Sequence, residues 1–401
     1  MKKIAFVPPW YGDSIPGGAE TELRETIRHL DQKGISIEVL TTCVKEFASD
    51  WNDNYHSPGK TRSGNIIIRR FPVRRRNTAS FDRVNAKLMK GLSVTPREER
   101  IFIREMINSP DLYRYIYEHR QEYDLFLYIP YMFGTTYYGI LKCPEKSVMF
   151  PCFHEEPYIH MGIYRKAFEK VAGLIYYSEP EYELANSVFD FQNARQEVLG
   201  AGVDTEITYD AERFRKKYGI EEPFLLYAGR KDEGKNIGLL LDYFSEYRFR
   251  NKEEKIKLVL IGGGKVKIPA FAREDVVDLG FIDRQDKYDA CAAAVLLCQP
   301  SLHESFSIVI MESWLTSTPV LVHEGCDVTR SHVSKSNGGL YFKNYNEFEA
   351  CVKYIVSNPD VAGVMGENGK KYVEDNYSWQ VLTDRYIQFM EEITHDQSQR
   401  G

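Results

Sequence analysis

The chain has 401 residues, of which 43% are hydrophobic and 27% charged, and its net charge is −6. That length predicts two domains, the composition predicts a soluble, core-forming chain, and the acidic balance excludes bulk nucleic-acid binding. No stretch approaches the roughly 20 apolar residues that span a bilayer, and seven cysteines without a CxxC predict buried free thiols in a reduced, cytoplasmic chain.

The N-terminal MKKIAFVPPWYG has two lysines, but Pro8, Pro9 and Gly12 break its apolar run, so it reads as a first buried strand and not as a signal peptide. The loop PPWYGDSIPGGAE follows, then AETELRETIRHLDQKG, whose Leu23, Ile27 and Leu30 recur at helical spacing. SIEVLTT and NIIIRRF are the next strands. Between 51 and 100 twelve basic residues face four acidic ones, a local balance of +8. This is either a solvated helical face or a patch for anionic lipid heads or a phosphorylated acceptor. LFLYIP, SVMFPC, GLIYYS and QEVLG complete the strands of the first half.

GAGVDTEITYDAERFRKKYGIEEP is polar and carries no strand. The rhythm then restarts with FLLYAG, IKLVLIGGG, VVDLGF, AAVLLCQ, TPVLVHE and GGLYF. Alternating β and α runs predict an α/β fold with two parallel sheets covered by helices, hinged near Gly200–Asp204. In such sheets ligands bind beyond the carboxyl ends of the strands, so the residues just after each strand carry the most information.

FLLYAGRKDEGKN contains G-x-x-x-x-G-K-N, one residue away from a phosphate-binding P-loop. A P-loop needs Ser or Thr after the lysine to ligate magnesium, and this chain has Asn236 there. It also needs a magnesium-organising Asp at the end of a second strand, for which only Asp278 offers itself, and RKDE crowds the space the phosphates occupy. The other reading keeps the phosphate without the metal: Arg230 and Lys235 at one strand end clamp a diphosphate, and the chain has no D-x-D.

Downstream, HESFSIVIMES carries Glu304 and Glu312, with Ser305 or Ser307 placed to cap a helix from about Ser307. The leading N–H groups of that helix form an anion site. Glu312 lies about five residues along it, roughly 7–8 Å by helical rise. A nucleotide sugar has a hydroxyl-bearing ring on each side of its diphosphate, and one carboxylate per ring matches it.

Together GRKDEGKN, LVLIGGG, the run from VVDLGF to TSTPVL, SNGGLYF, PPWYGDSIPGGAE and FHEEPY resemble the group 1 (family 4) retaining glycosyltransferases of GT-B fold. The resemblance covers nearly the whole chain and is weakest over 51–110. It implies two Rossmann-like domains facing across a cleft. Residues 1–203, completed by 380–401, form the acceptor-side domain, and 204–379 bind the donor. The last helix crosses back, with Trp379 near its kink. By the same resemblance Arg230 and Lys235 hold the diphosphate, Glu304 meets the donor sugar and Glu312 the ribose diol. Backbone amides of Phe306, Ser307 and Ile308 hold sugar hydroxyls and phosphate. Where the family often reads EGFG this chain reads ESFS. Gly17 and Gly18 admit phosphate or acceptor, and His154 approaches the transferred sugar, with Glu155 and Glu156 beside it.

The expected activity is retaining, metal-independent hexosyl transfer from a UDP-, GDP- or ADP-sugar to a glycan or lipid-linked acceptor, in surface polysaccharide or lipopolysaccharide biosynthesis. No cofactor is expected. The chain is expected to be cytoplasmic, with peripheral membrane contact at the inner face through 60–104. The competing readings are a P-loop-like kinase or NTPase, an inactive GT-B partner protein, and the same fold running phosphorylase or epimerase chemistry.

Overall fold

The computed structural model describes residues 3–13, 15 and 18–400, with side chains in the final helix as far as Asp396. The chain divides into two compact units, residues 1–200 with 382–401, and residues 201–381.

Among the described residues the first unit contains β1 (Ile4–Val7), β2 (Ile37–Thr42), β3 (Gly59–Ser63), β4 (Ile66–Phe71), β5 (Leu125–Tyr128), β6 (Ser147–Met149), β7 (Gly173–Tyr176) and β8 (Arg195–Val198). They form one sheet in the order β3-β4-β2-β1-β5-β6-β7-β8. Every pairing is parallel except β3 with β4. β1, β2, β5, β6 and β7 are buried along their whole length, the signature of parallel strands covered on both faces. β3 is a strand that sequence patterning misses. Its GKTRS is polar and exposed, and it exists because it pairs across the Gly64–Asn65 turn with apolar β4. A short charged edge strand also blunts the sheet against edge-to-edge association.

After β4 come the helices Thr78–Leu88, Pro96–Glu105 and Pro110–His119. Their Phe81, Val84, Phe102, Ile103, Leu112 and Ile116 enter the core against the sheet. Much of the basic stretch fastens this layer internally. Arg69 pairs with Glu38 at 2.8 Å and Arg74 with Glu105 at 2.9 Å. Arg70 donates to the Tyr11 carbonyl at 3.1 Å, and the Arg76 guanidinium lies 4.3 Å from the Phe81 ring centre. Lys60, Arg62, Arg75, Arg83, Lys90, Arg97 and Arg100 remain exposed. Among the described residues no helix is long and apolar enough to cross a membrane. All seven cysteines are free, and Cys152 lies beyond the end of β6 rather than within a strand.

The second unit contains β9 (Phe224–Ala228), β10 (Lys257–Ile261), β11 (Val276–Gly280), β12 (Leu296–Gln299), β13 (Val320–His323) and β14 (Gly339–Phe342). All are parallel, in the order β11-β10-β9-β12-β13-β14. The order reverses between β9 and β12, the point where an open α/β sheet leaves a crevice for ligand. In the first sheet the reversal falls between β1 and β5.

The unit boundaries fall at Gly200/Ala201 and Val381/Leu382, not at 203/204 and 379/380. Contacts explain both shifts. Val203 N–H donates to the Tyr377 carbonyl at 2.8 Å, and Trp379 packs so closely on Gly202 that a Cβ there would lie 2.4 Å from its ring. The helix Pro359–Tyr377 ends at Ser378, and the helix Trp379–Arg400 begins at Trp379. From Leu382 onward that last helix belongs to the first unit. Its Tyr386 hydroxyl donates to the Gly200 carbonyl at 3.1 Å, and its Phe389 and Ile393 fill the space over Gly173.

Candidate active site

The loops after β9 and β12 carry the residues singled out by sequence in the second unit. β9 runs out at Ala228 into Gly229 and Arg230. Gly262, just past β10, backs this turn with φ +120°, and a Cβ there would lie 2.0 Å from the Gly229 carbonyl oxygen. Only glycine allows that approach. Successive side chains then part company. Lys231 turns inward, where its buried Nζ donates to Asp278 Oδ1 at 2.5 Å. Arg230 turns outward with 77% of its side chain exposed. Asp232 ties the loop together: Oδ1 accepts from Lys235 N–H at 3.1 Å, and Oδ2 lies 3.5 Å from Arg230 Nε. Asn236 adopts φ +55°, and its side-chain amide donates to the Pro300 carbonyl at 3.0 Å, fastening this loop to the one after β12. The one Asp available for magnesium and a loop amide that would face phosphate are therefore engaged otherwise. Asp278 neutralises a buried lysine, and a carboxylate occupies the Lys235 amide that would face phosphate.

On the β12 side, Lys235 Nζ donates to Glu304 Oε1 at 2.8 Å, and the buried Gln299 donates to the same oxygen at 3.1 Å. The lysine of one loop and the glutamate of the other, distant in sequence, are in direct contact. The helix that follows spans Ile308–Leu315. Ser307 occupies its N-cap position but does not cap it as expected: φ is +71°, and the side chain accepts no backbone N–H. An N-cap normally holds β-region dihedrals with its oxygen turned onto the second or third amide, and the left-handed backbone here precludes that. Phe306 is buried edge-on against His332, with ring centres 5.0 Å apart, and against Tyr377 at 4.9 Å. Burial holds the His332 imidazole down at about 3, so it stays neutral, and its Nδ1 pairs with the Tyr372 hydroxyl at 3.0 Å. Ile308 opens the helix half-buried. Glu312 lies further along it, and its Oε1 accepts from Lys287 Nζ at 2.5 Å. Lys287 and Gln299 went unnoticed in the sequence, since nothing in local spacing links either to its glutamate.

Gly17 lies outside the described residues. Gly18 is the first residue of the helix Gly18–Gln32, and Arg24 of that helix reaches back to the Gly12 and Ile15 carbonyls at 3.2 and 2.9 Å, holding the preceding loop. His154 sits half-buried beyond β6. The backbone ahead of it is constrained. Cys152 adopts φ +56°, and the buried Glu181 carboxylate accepts from the Phe153 and Tyr177 amides, each at 2.8 Å. Burial pushes Glu181 up to about 7 against those hydrogen bonds. Glu155 pairs with His160 at 2.7 Å, and Glu156 accepts from the Tyr131 hydroxyl at 2.6 Å.

Residues 210–372 match the family model described as glycosyl transferases group 1. An uncharacterized glycosyltransferase of Methanocaldococcus jannaschii is 25% identical over 237 residues, covering 55% of this chain and 60% of that protein. The N-acetylgalactosamine-N,N'-diacetylbacillosaminyl-diphospho-undecaprenol 4-alpha-N-acetylgalactosaminyltransferase of Campylobacter jejuni is 25% identical over 224 residues, 54% of this chain and 59% of that enzyme. The chain thus spans less than two thirds of the length of these relatives. Among solved structures, sucrose-phosphate synthase from Thermosynechococcus elongatus superposes with a TM-score of 0.72 at 16% identity, covering 99% of this chain and 100% of that one. Anabaena HepE in complex with UDP gives 0.68 at 14% identity, covering 98% and 100%. WaaG, a glycosyltransferase involved in lipopolysaccharide biosynthesis, gives 0.65 at 15% identity, covering 96% and 98%. At such identities the likeness is one of fold, and the fold is that of the GT-B glycosyltransferases, with two Rossmann-like parallel sheets.

Proposed function

We propose that this chain, whose residues 210–372 match the group 1 glycosyl transferases, is a glycosyltransferase that transfers a sugar with retention from a UDP-, GDP- or ADP-sugar to a glycan or lipid-linked acceptor without a metal. One observation carries the reading: the Lys235–Glu304 contact at the switch point, beside the N-terminus of the helix Ile308–Leu315. A cation and an acid meet just before a helix N-terminus, the kind of place where an open sheet receives its ligand. HepE bound to UDP and glucose is a structural neighbour, which favours a nucleoside diphosphate as the group held there.

In this reading Arg230 and Lys235 meet the diphosphate, with the amides of Phe306, Ser307 and Ile308. Glu304 accepts from sugar hydroxyls, and Glu312, held by Lys287, accepts from the ribose. As the bond between the anomeric carbon and the phosphate oxygen breaks, its electron pair stays on that oxygen. Lys235, Arg230 and the helix N-terminus stabilise the charge where it appears. The acceptor hydroxyl bonds to the anomeric carbon on the face the phosphate leaves, and its proton passes to the departing phosphate. In the first unit we assign His154 to the transferred sugar and the loop of Gly17 and Gly18 to phosphate or acceptor. Surface polysaccharide or lipopolysaccharide synthesis at the inner face of a membrane is the proposed setting. The exposed Lys60, Arg62, Arg83, Lys90, Arg97 and Arg100 are the residues that would meet anionic lipid.

A thermal-shift panel of UDP, GDP, ADP, their sugars, ATP and GTP, each with magnesium or with EDTA, tests this. Stabilisation by one nucleotide class, unaffected by EDTA, is expected. Stabilisation only by a nucleoside triphosphate with magnesium would return the P-loop reading.

A further inference from the structure

Ser307 breaks three local rules at once. It is a non-glycine residue at φ +71°. It stands at a helix N-cap without capping. Its Oγ is buried with no hydrogen-bond partner, in a residue only 7% exposed. The other non-glycine residues of this unit at positive φ are asparagines, which tolerate the left-handed region, or follow a helix end, as Ser317 does. Glycine at 307 would release the backbone and remove the orphan hydroxyl, so for the protein alone serine is the worse residue twice over. Gln299 Oε1, on the adjoining strand end, is a second buried polar atom without a partner.

A buried hydroxyl beside leading helix amides lacks an acceptor, and a diphosphate oxygen supplies one. We propose that the Ser307 side chain is a ligand-binding group in its own right, donating its hydroxyl proton to the diphosphate of the bound nucleotide. It would thus serve in addition to the backbone amides around it. This rests on the donor-site reading above. A charge-assisted O–H donor has most to gain when the phosphate becomes the leaving group, so Ser307 would act on turnover as well as on binding.

The test compares the full-length chain with Ser307→Gly and Ser307→Ala by calorimetry with free UDP, GDP and ADP and by melting without ligand. The expected result is a paired one. Whichever diphosphate the wild type binds is held about tenfold or more weakly by both variants, while ligand-free Ser307→Gly melts above wild type and Ser307→Ala no lower than wild type. Wild-type affinity for the diphosphate in both variants would overturn the inference alone. Weaker binding accompanied by lower melting in both would reduce Ser307 to a structural residue and overturn it too. A wild type that binds none of the three diphosphates would remove the donor-site reading itself, and this inference with it.

Discussion

Lys235→Ala is the substitution on which the site geometry makes its strongest demand. Sequence alone gives Lys235 one task, holding phosphate, and predicts lost turnover in an otherwise normal protein. The structure adds a second task. Glu304 is only 8% exposed at its side chain, and Lys235 Nζ sits 2.8 Å from its Oε1. Without the lysine that oxygen keeps Gln299 Nε2 at 3.1 Å and loses its counter-charge. Stranding one partner of a fully buried pair costs about 3–5 kcal/mol. Lys235 retains 22% exposure, so water replaces part of the loss, and about 2 kcal/mol is the expected penalty.

Whole-chain melting would blur that figure, because two units need not unfold together. Hydrogen exchange at the amides of β9 and β12 reports the second unit directly. Protection there should fall by about 2 kcal/mol in Lys235→Ala. It should be largely restored in Lys235→Met combined with Glu304→Gln, which replaces the ion pair by neutral groups of similar volume. Diphosphate affinity should not return in the double variant. The separation is the point: stability follows the pair, and binding follows the lysine's charge. Unchanged exchange in Lys235→Ala, within about 0.5 kcal/mol, would mean that the contact carries no energy and that the site is not built around it.

Two buried groups give pH dependences of opposite sign. His332 has its folded value at about 3, below the ordinary 6.5, so between those values the unfolded chain binds the extra proton. The second unit should therefore lose up to about 4 kcal/mol as pH falls from 6.5 towards 3, and His332→Gln should flatten that slope in acid unfolding. Glu181 has its folded value at about 7, above 4.5, so the folded chain binds the extra proton. The first unit should lose about 3 kcal/mol as pH rises from 4.5 to 7, and exchange at the Phe153 and Tyr177 amides in Glu181→Gln should lack the trend. Gly366→Ala tests packing: a Cβ there would lie 1.8 Å from the Ser317 carbonyl oxygen, so the helix Pro359–Tyr377 must shift. A cost of about 3 kcal/mol in chemical unfolding is expected.

The strands were legible because parallel strands buried on both faces read as short apolar runs, as in Phe224–Ala228. β3 was not, since it contributes no apolar residue and is stabilised only by its partner. The basic stretch misled in part for a related reason. Charge can be counted from sequence, but the acids that absorb Arg69 and Arg74, Glu38 and Glu105, lie on other elements. At the candidate site, positions after strand ends were legible and side-chain pairings were not. Arg230, Lys235 and Glu304 lie in loops that follow β9 and β12, and that position is a sequence signal. That Lys235 meets Glu304, and Glu312 meets Lys287, depends on which strands are neighbours. The order β9-β12 is not written in either segment. Ser307 failed as a predicted cap because composition shows a hydroxyl before a helix and says nothing of φ.

Where local preference and global structure conflict, function is the usual cause. In the second unit several such conflicts lie on or against the loops after β9 and β12, others elsewhere, as at Ser317, Asn337 and Tyr345. Asn236 and Ser307 hold left-handed dihedrals, and Gly262 admits a backbone approach no other residue permits. Gln299 Oε1 and Ser307 Oγ are buried without partners, and so is Nε2 of His332, which packs on Phe306 of the same loop. Each costs folding free energy, and none is needed to close a parallel sheet. A ligand that accepted from Ser307 and exchanged with Glu304 for Lys235 would relieve several of them together. Relief of those local costs would then contribute to the affinity of the site.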